Sequence, residues 1–175
     1  YLEKGNEKYE KGNFYKAIYY YELSIRMNEK FLFTTLDNLV SAYKLLGDYE
    51  GAIVTLKRLY KEKRSNYSFY EKITFLEKTA DLERSLGKDM QPYQTIKEII
   101  KIRNYSQNKV PIGNQVSQYL KIGDLELEIG NIKNACINWE KSKQLARRFE
   151  MSSSRKFFKE KWEEKYARNF KKFCS

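Results

Sequence analysis

At 175 residues the chain is long enough to bury a core of its own, and one domain is the default expectation. A third of its residues are charged, only two are proline and its net charge is +11, the composition of a water-facing, largely helical protein. No apolar run approaches the roughly 18 residues of a membrane span, and the absence of histidine removes the commonest general base and a common zinc ligand.

No secretory leader is visible, and the chain opens at Tyr1 inside a helical pattern, as a fragment or processed product would. A cytoplasmic location is the default expectation, with an anchor or signal upstream of Tyr1 left open. The basic residues are interleaved with glutamate over most of the length, which reads as a solvated surface before it reads as a site for an anionic partner. Residues 151–175 depart from this mixture, with eight Lys/Arg against three Glu.

In chain order, helical periodicity predicts pairs at about 1–11 with 14–28, 34–46 with 49–64, 68–86 with 92–104, and 114–129 with 132–149. A ninth helix is expected over about 154–173, after the capping serines Ser152, Ser153 and Ser154. Three of the turns within pairs repeat one phrase: Gly12-Asn13-Phe14 with Ala17 and Tyr21, Gly47-Asp48-Tyr49 with Ala52 and Leu56, and Gly130-Asn131-Ile132 with Ala135 and Trp139. Glycine supplies the positive φ that ends a helix, and Asn or Asp accepts amide hydrogen bonds at the start of the next. Alanine permits close helix approach, and the large residue one turn later fills the space beside it.

Gly12 and Gly47 lie 35 residues apart, the period of a helix–turn–helix repeat array. Gly87 supplies the fourth turn: Leu76, Ala80 and Leu82 precede it as Leu36, Val40 and Ala42 precede Gly47. Beyond it Lys88 to Pro92 lengthen the turn, and Ile96 and Ile100 stand where alanine and a large residue are expected. The stretch 104–114, with Pro111 and Gly113, reads as a loop and an irregular junction. Of the adjacent tyrosines Tyr19, Tyr20 and Tyr21, Tyr21 takes the packing position and at least one other faces outward. Cys136 reads as a small core thiol, and Cys174 carries no signal.

On these residues the chain resembles the tetratricopeptide repeat proteins over about 1–149, with the third repeat degenerate and Gly5, Ala80 and Gly123 matching the small residue of the first helices. The resemblance implies an all-α, right-handed solenoid of about four helix pairs, with residues 150–175 as an amphipathic capping helix of the same domain. It further implies a non-enzymatic scaffold that binds a protein or peptide segment in a concave groove lined by the first helix of each pair. The groove residues so implied are Asn6, Asp37, Asn38, Ser41, Lys44, Thr74, Glu77, Lys78, Asp81 and Lys121. Some family members clamp an acidic chaperone C-terminus. Asn6, Asn38 and Lys78 match that pattern, whereas Leu2 and Thr74 do not. Asp37, Glu77, Asp81 and Asp124 would repel an acidic tail, so a polar or mixed-charge segment suits the groove better.

Chemistry is poorly served elsewhere. The glycines mark helix ends and form no phosphate loop, and the carboxylate pairs Glu163-Glu164 and Glu126 with Glu128 read as solvated faces. No cofactor or metal is expected. An alternative surface lies on the last helix, where Phe158, Trp162, Tyr166, Phe170 and Phe173 form an aromatic stripe flanked by Lys159 and Arg168. It reads first as the face that caps the last repeat, near Trp139 and Leu145. An anionic polymer, nucleic acid or a membrane surface is the alternative partner there, and self-association is a third option.

Overall fold

A computed structural model describes residues 1–27, 30–87, 92–106, 111–150, 168 and 170–174. Among these residues every regular element is an α-helix: α1 (Leu2–Glu10), α2 (Phe14–Arg26), α3 (Leu32–Leu45), α4 (Tyr49–Lys63), α5 (Phe69–Ser85), α6 (Tyr93–Ser106), α7 (Ile112–Glu128) and α8 (Ile132–Glu150). Residues 168 and 170–173 are also helical. The rest of the ninth predicted helix, with Ser152, Ser153 and Ser154, lies outside the described residues. No described helix is long and apolar enough to cross a membrane.

The turns within pairs form as their chemistry dictates. Gly47 and Gly130 sit at φ +69° and +79° with open space where a Cβ would stand, so backbone conformation alone selects glycine there. The residue that follows does two jobs. The Asp48 amide donates to the Tyr43 carbonyl at 3.0 Å, closing α3, while its Oδ1 accepts from the Gly51 amide at 2.8 Å, opening α4. Asn13 and Asn131 repeat the arrangement, donating to Lys8 and Glu126 and capping Lys16 and Asn134. Gly87 also has a positive φ and follows α5, which secures the register of the third repeat. Ser68 and Glu71 form a reciprocal capping box at the start of α5.

The expected loop over 104–114 is shorter than its Pro and Gly implied. Helix α6 runs on to Ser106, and α7 starts at Ile112, directly after Pro111. Proline before the first helical residue is compatible with a helix start, because the amide it lacks has no partner within the helix.

The chain divides into two compact units, Tyr1–Ile99 and Ile100–Ser175. In the first, α1 packs on α2 and α3, α2 on α3 and α4, and α3 on α4 and α5. First helices therefore neighbour first helices, and second helices neighbour second helices. The core is built from Ala17, Tyr21, Ile25, Leu36, Leu39, Ala42, Ala52, Leu56, Leu59, Phe75, Ala80 and Leu82, with Ile96 also fully buried. Tyr67 stacks on Phe75 at 5.0 Å and Tyr60 tilts against it at 6.1 Å. Tyr15 and Tyr19 face outward, as the crowding of tyrosines on α2 requires.

Burial pushes the Tyr60 phenol up to about 12, and the Glu98 carboxylate that accepts its hydrogen bond adds to the shift. Burial, with Glu71 and Glu62 nearby, does the same to Tyr67. A phenol with a raised folded pKa stabilises the fold below its unfolded value of about 10, and that contribution is lost as pH rises through the folded value. Helical circular dichroism should therefore fall between pH ~10 and ~12, together with a late-titrating class of tyrosines in a phenolate absorbance titration. A single tyrosine class near pH ~10 with helicity intact would contradict this burial.

In the second unit, Val116, Ala135, Trp139 and Ala146 form the core between α7 and α8. Phe170, Phe173 and Cys174 pack against it with Leu120, Leu127 and Leu145. The described end of the aromatic stripe thus faces the last helix pair. Two sequence readings are corrected here. Cys136 is no free core thiol: it forms a disulfide with Cys174, 38 residues away. Helix α8 and the C-terminal turn bring the two Cα atoms to 5.7 Å, a juxtaposition that local spacing does not encode. Glu126, read as solvated, is buried, whereas Glu128 is exposed.

Candidate functional site: the first-helix face

Each unit contains the same joint between a first and a second helix. In the first unit the Tyr21 ring lies over Gly5, where an added Cβ would sit 2.4 Å from Cε1. Its hydroxyl donates to Asn6 Oδ1 at 3.0 Å. In the second unit the Trp139 indole lies over Gly123, again with 2.4 Å to an added Cβ. Its Nε1 donates to Asp124 Oδ1 at 3.2 Å. A missing side chain on the first helix admits a large aromatic, whose polar tip then fixes the next residue of that helix.

Asn6 accepts a second hydrogen bond, from Asn38 Nδ2 at 2.8 Å. This bond joins α1 to α3 across 32 residues and sits on the half-buried side of both helices. From α3 the row continues to α5, where Lys78 Nζ pairs with the exposed carboxylate of Asp37. Next along α5, Arg84 pairs with Asp81 at 2.6 Å. Asn6 with Asn38, Asp37 with Lys78, and Asp81 with Arg84 therefore set polar pairs along three successive first helices. The buried Tyr21 phenol is pushed up by desolvation, so it remains a neutral donor at the floor of this row at physiological pH.

The other expected groove residues occupy varied settings. Ser41 and Glu77 are half-buried, and Lys44 is exposed. Thr74 is half-buried, with its hydroxyl donating to the Tyr70 carbonyl at 3.0 Å. Lys121 is exposed on α7, in the second unit. Of the alternative surface, Phe158, Lys159, Trp162 and Tyr166 lie outside the described residues. Arg168 is exposed, and Phe170 is half-buried with Lys143 Nζ 5.6 Å from its ring centre. Among the described residues no group of three or more His, Cys, Asp or Glu could hold a metal ion.

No protein-family model and no curated sequence matches the chain. Among solved structures it is similar to a Podosopora anserina protein described as a kinesin light chain with nearly identical TPR-like repeats. That match has a TM-score of 0.58 at 12% identity and covers 97% of this chain and 83% of the other. It is also similar to the signal-transduction ATPase with numerous domains from Pyrococcus horikoshii that carries a tetratricopeptide repeat sensor, with a TM-score of 0.54 at 16% identity. There 98% of this chain is covered but only 26% of the longer protein. The fold is tetratricopeptide-like.

Several contacts of this tetratricopeptide-like fold were missed by sequence reasoning because they link different helices, some of them one repeat apart. Glu22 accepts from Arg58 at 2.6 Å and lies 3.5 Å from Arg26, which also approaches Glu62 at 3.4 Å. This network ties α2 to α4 on the second-helix side. Glu83, at a position where the repeat pattern favours a large residue, is buried and pairs with Lys57 at 2.6 Å. The available signal was the 35-residue period itself, since Glu22 and Arg58 lie 36 residues apart. Reading it would have required knowing which helix faces share a side.

Proposed function

We propose that the chain is a non-enzymatic protein-interaction scaffold whose first-helix face holds a mixed-charge segment of a partner protein. The observation that carries this reading is the polar row running from Asn6 through Asn38 to Asp37 and Lys78 on α1, α3 and α5. Each member is held by a neighbour, so less side-chain entropy is lost when a partner docks. Carboxamides offer both donors and acceptors to a peptide backbone. The paired Asp37 and Lys78 favour a segment carrying both signs of charge over a uniformly acidic tail. A tetratricopeptide-like array presents such groups from several helices at once.

The test is affinity capture from nuclease-treated lysate with graded salt washes, comparing the wild-type chain with an Asn38→Ala/Lys78→Ala variant. A discrete protein retained at high salt by the wild type should bind the variant at least about tenfold more weakly when re-measured in purified form. The variant's thermal melt establishes that its fold persists. Equal binding by both proteins would move the site off this face. Complete release at modest salt would favour a polyanion partner instead.

A further inference from the structure

Both cysteines of the chain are used in one bond, and its position gives it a task. Cys136 is on α8, on the turn between the core residues Ala135 and Trp139, and Cys174 follows directly on the helical turn that carries Phe170 and Phe173. Phe173 lies 6.4 Å from the Trp139 ring, and its carbonyl oxygen is 3.7 Å from the Cys136 sulfur. The fully buried core partners of Trp139 lie on α7 and α8, whereas Phe170 and Phe173 are only partly buried. The C-terminal turn is thus an outer layer over a core that α7 and α8 build between them.

Cys136 and Cys174 are themselves half-buried, so a thiol reagent can reach the bond. Lys171 and Lys172 precede Cys174 by three and two residues, and Lys133 precedes Cys136 by three. Lysine ammonium groups beside a cysteine favour its thiolate, the form that attacks and leaves in thiol–disulfide exchange.

We propose that the Cys136–Cys174 disulfide is a redox-controlled latch that fixes the C-terminal turn over the α7–α8 core. In closing, two protein thiols react with one low-molecular-weight disulfide, such as oxidised glutathione, through a mixed disulfide. One intramolecular bond forms and two small-molecule thiols are released. In opening, a dithiol reductant supplies two electrons and two protons, becomes a cyclic disulfide and leaves both cysteines as thiols. The turn then keeps its Phe170 and Phe173 packing but loses its covalent tie to α8, and it uncovers the Trp139 side of the core more often.

The experiment compares the whole chain equilibrated in oxidised glutathione with the same chain treated with dithiothreitol. Alkylation followed by intact mass should add nothing to the first and two groups to the second. Native-state hydrogen exchange over α7, α8 and residues 170–174 should then be faster after reduction, by up to roughly several hundredfold, the scale of losing a closure of this length. Cys174→Ser should exchange at the reduced rate in both conditions and make dithiothreitol silent. Cys136→Ser serves as the second variant with the same expectation. Full alkylation under oxidising conditions would overturn the proposal by showing that the bond does not form. A bond that forms but leaves exchange unchanged on reduction, or a dithiothreitol effect that persists in Cys174→Ser, would overturn it as well.

Discussion

Replacing Trp139 by alanine is expected to destabilise the 100–175 unit by about 3–5 kcal/mol, the range for truncating a large buried aromatic. Trp139 is fully buried, and its side chain reaches α7, the C-terminal turn and a polar partner together. Its loss leaves a cavity under Val116 and Ala135 and removes the indole donor from Asp124. Local exposure of α7 to solvent offsets part of the second term, because Asp124 is only half-buried. Urea denaturation followed by circular dichroism measures the loss, and hydrogen exchange assigns it. Amides of α7 and α8 should lose protection while those of α1–α5 keep it. Uniform loss across both units would mean that they unfold as one cooperative body.

Gly123→Ala should be destabilising by about 1–2 kcal/mol, against the usual sign for glycine in a helix. Alanine in a helix interior normally gains up to about 1 kcal/mol over glycine. Here the added methyl would stand 2.4 Å from two atoms of the indole, and a buried ring has little freedom to retreat. Overpacking of this kind costs about 1–3 kcal/mol, which outweighs the propensity gain. The second repeat shows the remedy, since it has Val40 and Leu56 at the positions of Gly123 and Trp139. Trp139→Leu should therefore rescue part of the Gly123→Ala cost, giving a double mutant more stable than the sum of the two single losses. Strict additivity measured by urea denaturation would show that the two residues do not share a contact. Gly5→Ala should behave alike beneath Tyr21, where the clash is of the same depth.

The parts of this fold that were legible in sequence are those fixed by local chemistry. Glycine at positive φ followed by Asn or Asp leaves few backbone alternatives, and Gly12, Gly47 and Gly130 adopted the expected conformation, as did Gly87 without that following residue. Spacing placed Tyr21 and Trp139 at packing positions, and the family resemblance marked Gly5 and Gly123 as the small first-helix residues, but that each ring lies over its glycine is visible only in the fold. Contacts between repeats were less legible. Asn6 and Asn38 were singled out separately, but their bond to one another depends on how α1 rests on α3, which no local pattern sets. The same applies to Asp37 with Lys78 and to Glu22 with Arg58. Cys136 looked like a small core residue because a half-buried cysteine on an apolar stripe has the same signature whether or not it is bonded. At α6 and α7 the Pro and Gly of 104–114 overstated the loop, since Pro111 introduces a helix as readily as it interrupts one.

The double duty of Asn13, Asp48 and Asn131 has a consequence for how this chain can change in length. Because one residue both finishes a helix and starts its partner, these corners contain no slack. An extra residue there would turn everything downstream by about 100° about the helix axis, swinging the buried stripe of the second helix toward water. Insertions and deletions should therefore be tolerated at the joins between pairs, such as the exposed turn from Arg64 to Asn66, and rejected at the corners within them. Each hairpin is an indivisible cassette, and drift in chain length is confined to the spacers that string the cassettes together.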